Sequence, residues 1–172
     1  MLMRFLGIVA IITFVVGPVG SSVEALEYYV SADLGDDAND GLASAPDGTG
    51  SGPLATIGAA LQLAGAGDTI SVRAGNYPEA LVFLESHPSE ERLILQNHPG
   101  EAPVLNAGDA DALTFSGAGG ITVKGLTLSG VTGSAILAVN ATDLRFEAMT
   151  VESCSSGETG AIAFFSDCSG IL

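Results

Sequence analysis

The chain has 172 residues and is 47% hydrophobic, which is enough apolar material to bury one core and excludes a wholly disordered chain. Twenty acidic and five basic residues give a formal net charge of −15. This charge disfavours binding to nucleic acid or to an anionic membrane surface. The 23 glycines and the absence of tryptophan suit many short strands joined by tight corners.

Residues 1–25 have the pattern of a secretory signal peptide. Arg4 precedes an almost unbroken apolar run from Phe5 to Val16, which is shorter than a membrane-spanning helix needs. Small residues leading up to Ala25 suit signal peptidase, so the mature chain is predicted to begin near Leu26. An uncleaved anchor is the alternative. We therefore expect a secreted protein, extracellular, at the cell surface or periplasmic, with no stable membrane insertion after cleavage.

The exported part contains two features of secreted proteins. Cys154 and Cys168 are a single pair of cysteines, for which a disulfide is permitted in an oxidising compartment but not required. Asn140-Ala141-Thr142 is an acceptor sequence for N-glycosylation, which has meaning only in a eukaryotic source.

Residues 26–66 are predicted to form an N-terminal cap. Residues 27–31 read as a strand, and residues 33–52 as a polar, glycine-rich loop. From Pro53 to Ala64 apolar residues recur at helical spacing, and Pro53 suits the start of a helix. The predicted helix would cover an end of the fold where the core and free strand edges would otherwise be exposed.

The polar loop of the cap contains weak candidates for calcium binding. Asp36, Asp40 and Asp47 fall at positions 1, 5 and 12 of the calcium-loop template. Ala38 occupies the third position, where an oxygen ligand is expected, and no helices flank the loop. The alternative is that these carboxylates accept hydrogen bonds from their own backbone in consecutive turns.

Residues 67–172 are predicted to form successive turns of a β-solenoid. In the segment from Gly67 to Tyr77, Ile70 and Val72 alternate with polar residues, as in a strand with one buried face. Further apolar runs of three or four residues follow, each bounded by turn residues. These runs are too short for helices.

From Ala112 onward the chain repeats with a period of 23 residues. The equivalent apolar positions are Leu113 and Ile136, Ile121 and Leu144, Val123 and Phe146, Leu126 and Met149, and Leu128 and Val151. A third copy is predicted to start at Ala161 and to break off at Ile171-Leu172. Three short strands per repeat, with glycine at the corners, indicate a parallel β-helix in which each strand stacks on its equivalent in the next turn. The apolar end at Ile171-Leu172 would expose the core of the last coil. This favours a fragment that is incomplete at its C-terminus over the alternative, in which a partner copy of the chain covers this end.

The chain resembles the secreted right-handed parallel β-helix proteins of the pectate-lyase-like superfamily, in particular polysaccharide-lyase-like members with an N-terminal cap. The resemblance rests on residues 28–31, 35–41, 53–60, 67–77 and 99–105. It implies an all-β, right-handed parallel β-helix with a short capping α-helix. It further implies the N-terminal part of an enzyme acting on an acidic polysaccharide, of lyase or epimerase type and assisted by calcium.

The residues themselves leave the chemistry open. β-Elimination from a uronic acid needs a base and a cation that neutralises the carboxylate, either calcium or arginine. Lys124 and Arg145 are predicted to point outward on neighbouring turns, with Glu147 stacked next to Lys124, and these three are the surface candidates. A simple surface ion pair is the alternative for Lys124 and Glu147. The second class of function is a non-catalytic extracellular β-helix that binds carbohydrate or serves a structural role.

Overall fold

The protein is a parallel β-helix, described here by a computed structural model that covers residues 24–155 and 163–172. The apolar run of the predicted signal peptide and the predicted start of the third repeat at residues 161–162 lie outside the described residues. The strands are β1 (Glu27–Val30), β2 (Thr69–Val72), β3 (Gly75–Tyr77), β4 (Leu81–Phe83), β5 (Leu93–Asn97), β6 (Pro103–Leu105), β7 (Leu113–Ser116), β8 (Gly119–Lys124), β9 (Thr127–Ser129), β10 (Ile136–Val139), β11 (Thr142–Glu147), β12 (Thr150–Glu152) and β13 (Ala163–Ser166), and the helix is α1 (Ile57–Leu63).

Every pair of neighbouring strands is parallel, and the strands stack into three sheets that run the length of the coil. Sheet A has the order β1-β2-β5-β8-β11, sheet B the order β3-β6-β9-β12, and sheet C the order β4-β7-β10-β13. About four coils are stacked, and the described part holds one short helix. The predicted all-β solenoid with a capping helix is confirmed.

The register between strands confirms the 23-residue repeat. Ile136 pairs with Leu113, and Leu144 pairs with Ile121. The next coil is longer, because Ile136 pairs with Ala163, 27 positions further along the chain. In the coils before the last, the apolar side chains at alternate strand positions are buried. The core between the three sheets therefore consists of stacked rows of these side chains.

The corners of the coil repeat as well as the strands. Left-handed backbone recurs 23 residues apart at Gly117 and Asn140, Gly120 and Asp143, Gly125 and Ala148, and Gly130 and Ser153. Gly120 has a second reason to be glycine, since a Cβ there would clash with the carbonyl oxygen of His87. At the equivalent corner Asp143 adopts a φ of 49°, which aspartate tolerates better than most residues. The side chain of Arg92 crosses this corner and pairs with Asp143.

Phenylalanine rings pack against one another in the core. The rings of Phe83 and Phe115 lie parallel, with centroids 4.6 Å apart. Ala138 occupies the equivalent place in the next coil. The ring of Phe146, from sheet A, meets Phe115 edge-on at 5.7 Å. The phenylalanine of the repeat therefore lies in sheet C in one coil and in sheet A in the next, where it pairs with Val123.

The helix begins later than the sequence predicted. It was expected from Pro53, but α1 begins at Ile57 with Thr56 as its N-cap. The preceding residues are extended because Leu54 bridges to Val30 and because the carboxylate of Asp37 accepts the backbone N–H groups of residues 55 and 56. Tertiary contacts therefore override the local preference of proline for a helix start.

The cap is joined to the coil by strand β1 and by α1. Strand β1 pairs in parallel with β2, so the cap supplies the first strand of sheet A. Ile70 and Val72 are fully buried, as predicted for the inward positions of β2. The side chain of Glu79, in the coil, accepts the N–H groups of Ile57 and Gly58 at the start of α1. These contacts fix the cap over the first turn.

The two cysteines lie near the C-terminal end of the chain. Cys154 and Cys168 are free thiols in the structure, and their sulfurs donate to the carbonyls of Leu128 and Ala138 in neighbouring strands.

Among the described residues there is no helix of the length and hydrophobicity that a membrane crossing requires.

Candidate functional site

The outward side chains of sheet A form two parallel columns, which we call the outer face of sheet A. One column consists of Glu27, Thr69, Ile94, Thr122 and Arg145, and the other of Tyr29, Ser71, Gln96, Lys124 and Glu147. Nine of these ten side chains have a polar group. The face is therefore a polar track that runs along the coil axis from the cap to β11.

All the basic residues outside the signal peptide lie on or beside this face. Arg73 directly follows β2, Arg92 directly precedes β5, and Lys124 and Arg145 lie in β8 and β11. The remaining basic residue of the sequence, Arg4, lies outside the described residues. In a chain of net charge −15, this face is where the few basic residues are concentrated.

Arg92 is a structural cation that joins three coils. Its side chain is 9% exposed, and its guanidinium forms an ion pair with Asp143, which lies two coils further along sheet A. Nε donates to the hydroxyl of Thr122 at 2.9 Å, and Nη2 donates to the carbonyls of Ile121 and Asp143 at 2.7 Å each. Because the strand register places Gly120 between Arg92 and Asp143, no side chain blocks this path.

Arg73 is likewise neutralised by a carboxylate. Its Nε and Nη2 donate to Oε1 of Glu101 at 3.1 and 2.9 Å. The other carboxylate oxygen of Glu101 accepts the N–H of Ala74 at 2.6 Å. The side chain of Arg73 is 31% exposed, because Glu101 reaches back to it from the next coil.

The three surface candidates from the sequence lie together at the β8–β11 end of the face. Lys124 is opposite Glu147, and Arg145 is opposite Thr122, so the two cations are diagonal neighbours. Strand spacing and rise place their Cα atoms about 8 Å apart. Among the described residues the ion pairs involve Arg73, Arg92 and Arg145, so Lys124 and Glu147 are register partners without a close ion pair.

Arg145 is the less satisfied of the two arginines that approach Asp143. Its Nε lies 3.9 Å from Oδ1 of Asp143, whereas Arg92 and the hydroxyl of Ser89 both contact Oδ2. Within the described residues Nε of Arg145 makes no hydrogen bond, although this atom is buried. The side chain as a whole is 43% exposed. The guanidinium of Arg145 is therefore available to bind an anion at the outer face of sheet A.

Beside the cap, the same face carries an aromatic cluster that the sequence did not indicate. Nδ1 of His98 lies 3.2 Å from the hydroxyl of Ser71, and the ring of Tyr29 meets the imidazole edge-on at 6.1 Å. The Tyr29 hydroxyl donates to Glu27 at 2.9 Å, which raises the pKa of the phenol, with burial adding to this effect. Only the strand register brings these four residues together.

The calcium candidates are engaged with their own loop. Asp36 accepts the N–H of Ala38, Asp40 accepts the N–H of Leu42, and Asp47 accepts the N–H and hydroxyl of Thr49. These hydrogen bonds lower the pKa of Asp40 and of Asp47. In the parts of the chain that the structure describes, no group of three or more acidic, histidine or cysteine side chains could hold a metal ion. This geometry matches the turn-capping alternative.

Acid should destabilise the protein through the carboxylates that are paired on this face. Arg73, and then the N–H of Ala74, hold the pKa of Glu101 below its ordinary value of 4.5. Ser89, and after it Arg92, lower the pKa of Asp143 from 3.8. A lowered folded pKa gives stability that is present above the ordinary value and is lost as the pH falls through the folded value. We expect the melting temperature to fall between pH 5 and about pH 3.

Glu101→Gln is the variant that checks this assignment. It keeps the shape of the side chain but removes one carboxyl group whose pKa is lowered in the folded state. The fall in melting temperature with acid should therefore be shallower than in the wild type. Glu85→Gln, at an exposed position in the loop after β4, is the matched control. An acid profile that is the same for wild type and Glu101→Gln would contradict the assignment.

No protein-family model matches the chain, and no curated protein matches it. A GH136 lacto-N-biosidase from Eubacterium ramulus is similar in structure, with a TM-score of 0.53 and 16% identity over 83% of this chain and 34% of that one. A rhamnogalacturonan lyase gives a TM-score of 0.49 and 16% identity over 84% of this chain and 51% of that one. The chain spans about a third and about half of their lengths, and the likeness is one of β-helix fold.

Proposed function

We propose that this chain is part of a secreted β-helix protein that binds an acidic polysaccharide along the outer face of sheet A. The observation that carries the proposal is the position of Lys124 and Arg145, adjacent cations on the polar face of an otherwise acidic chain. Arg73 and Arg92 are already neutralised by Glu101 and Asp143. Lys124 and Arg145 are the cations available to carboxylates of a polymer.

The shape and chemistry of the face also suit an extended polymer. Strands in sheet A stack at about 4.8 Å, so polar groups recur along the coil axis at a spacing that a chain of sugar rings can follow. The hydroxyl of Thr69 and the amide of Gln96, which are both partly exposed, are hydrogen-bonding groups for sugar hydroxyls. The carbohydrate-active function of the lacto-N-biosidase with the same fold supports a carbohydrate ligand.

The matched pair of polymers for testing this is polygalacturonate and its methyl ester, which share a backbone and differ in charge. We expect the wild-type chain to bind polygalacturonate at least tenfold more tightly, and this preference should weaken at high salt. Lys124→Gln and Arg145→Gln should each weaken binding several-fold, because each removes one charge-assisted contact. Binding is measured by affinity electrophoresis or calorimetry.

Thr150→Glu is the control for net charge. It changes the charge by the same one unit, but on the exposed strand β12 of sheet B. It should leave binding to polygalacturonate nearly unchanged. Equal losses in Thr150→Glu and Lys124→Gln would show that only the net charge matters and would contradict a site on sheet A. Equal binding of the two polymers would exclude recognition of carboxylates.

The second candidate function is β-elimination on the same face. Lys124 lacks a close ion pair within the described structure. As a neutral amine it could take the C5 proton of a uronic acid whose carboxylate is neutralised by Arg145, while the C4–O bond breaks and water protonates the leaving oxygen. Incubation with pectate and alginate, with and without calcium, would then give products that absorb as unsaturated uronates. Lys124→Gln should abolish this absorbance. Binding without product formation would favour the non-catalytic class for this chain.

A further inference from the structure

A buried carboxylate in the cap lies next to the residue at which the mature chain is expected to begin. Asp68 is 7% exposed, and its two oxygens accept one backbone N–H each. Oδ1 accepts the N–H of Leu26 at 2.8 Å, and Oδ2 accepts the N–H of Gly65 at 2.8 Å. The carboxylate therefore joins the start of β1 to the turn that follows α1.

These partners leave Asp68 without a cation. Within the described residues, the ion pairs are made by Arg73, Arg92 and Arg145 and involve other carboxylates. A carboxylate that is removed from water but meets only neutral donors is less stable than one paired with a positive charge. A cation at the position of either donor would remove this deficit.

Leu26 is held from both sides at this place. Its N–H contacts Asp68, and its carbonyl accepts the N–H of Thr69 at 2.8 Å, so it extends the pairing of β1 with β2 by one residue. Glu24 and Ala25, which precede it, are exposed. The main chain of Leu26 is thus held by contacts with residues that follow it in the chain.

We propose that signal peptidase cleaves between Ala25 and Leu26 and that the new α-ammonium of Leu26 forms an ion pair with the buried carboxylate of Asp68. Hydrolysis adds water across the peptide bond, so that Ala25 leaves with a carboxylate and the nitrogen of Leu26 becomes a protonated amine. The nitrogen keeps its place 2.8 Å from Oδ1. Processing therefore replaces the neutral amide donor of this hydrogen bond by a cation, and the resulting ion pair fastens the cap to the first turn.

The surroundings favour a positive charge here. A hollow of about 600 Å³ beside Leu26 is lined by Tyr28 of β1, by Asp68, and by Glu90 and Glu91 of the loop before β5. The Tyr28 hydroxyl donates to the carbonyl of Leu63 at the end of α1. None of these groups is cationic, and three are carboxylates. This inference does not depend on the proposed polysaccharide ligand.

The test compares four versions of the chain from Leu26 to Leu172. The wild type and Asp68→Asn are each prepared with a free N-terminus and with an Nα-acetyl group, which restores the neutral amide N–H of the uncleaved chain. At pH 6 we expect acetylation to lower the melting temperature of the wild type by about 5 °C. Acetylation should have little effect in Asp68→Asn. An equal effect of acetylation in both backgrounds would overturn the proposal.

Two further readouts are specific for the ion pair. The α-amino pKa, measured by NMR or by labelling against pH, should lie above its ordinary value of about 7.7–8.0 in the wild type. A raised pKa gives stability that is present below the ordinary value and is lost as the pH rises through the folded value, so the effect of acetylation should vanish in alkali. N-terminal sequencing of the exported full-length product should give Leu26. A different first residue, or an unshifted α-amino pKa, would also overturn the proposal.

Discussion

Phe115→Ala should lower the free energy of unfolding by about 4 kcal/mol. Phe115 is fully buried, stacks on Phe83 and meets the edge of Phe146, so its removal leaves a cavity between three coils. The cavity cannot close easily, because the strands on both sides are fixed by parallel ladders. Urea denaturation followed by circular dichroism measures the change.

Phe164→Ala is the matched control for this variant. Phe164 lies in the same sheet, but its side chain is 48% exposed on the outward side of β13. Its loss should change the stability by much less than the loss of Phe115. If the two variants were equally destabilised, the inward and outward assignment of sheet C would be wrong.

Arg92→Ala should lower the free energy of unfolding by about 3 kcal/mol, the second largest effect that we expect. The variant removes the cation that pairs with Asp143 and leaves the carbonyl of Ile121 without this donor. Because Arg92 contacts residues of two successive coils, its loss should also loosen the β8–β11 end of sheet A. Hydrogen exchange of the amides in β8 and β11 should become faster.

Arg92→Lys and Arg145→Ala separate charge from geometry. Lysine keeps the charge but cannot donate to Thr122 and to two carbonyls in fixed directions, so Arg92→Lys should recover only part of the lost stability. Arg145 is 43% exposed and lies 3.9 Å from Asp143, so Arg145→Ala should have a small effect. Full recovery by lysine would contradict the role of the guanidinium fork.

The sequence predicted the repeating part of the fold well because each coil repeats both its apolar positions and its corners. Leu113 and Ile136, or Ile121 and Leu144, could be paired from the 23-residue spacing alone, and the register confirms these pairs. The helix start at Pro53 was wrong because the contact of Leu54 with Val30 depends on residues far away in sequence. Local propensity contains no information about such a contact.

The candidate site was predictable only in part. Alternation within β8 and β11 was enough to place Lys124 and Arg145 outward on neighbouring coils. Arg92 was missed because it precedes a strand and reaches Asp143 across 51 residues of sequence. The register of β5 and β8 places Gly120 next to Arg92, which leaves room for the arginine side chain to reach Asp143. The coil that contains β5 lies before the 23-residue repeat found in the sequence, so this register could not be predicted.

The most direct test of the central claim is to map where an acidic oligosaccharide contacts the protein. Tri- or tetragalacturonate is titrated into labelled protein, and the amide chemical shifts are followed by NMR. Our account predicts the largest shifts along β8 and β11, around Lys124 and Arg145, with smaller shifts towards Tyr29. Shifts confined to sheets B and C, or no shifts at concentrations that saturate binding of the polymer, would contradict the assignment of the outer face of sheet A.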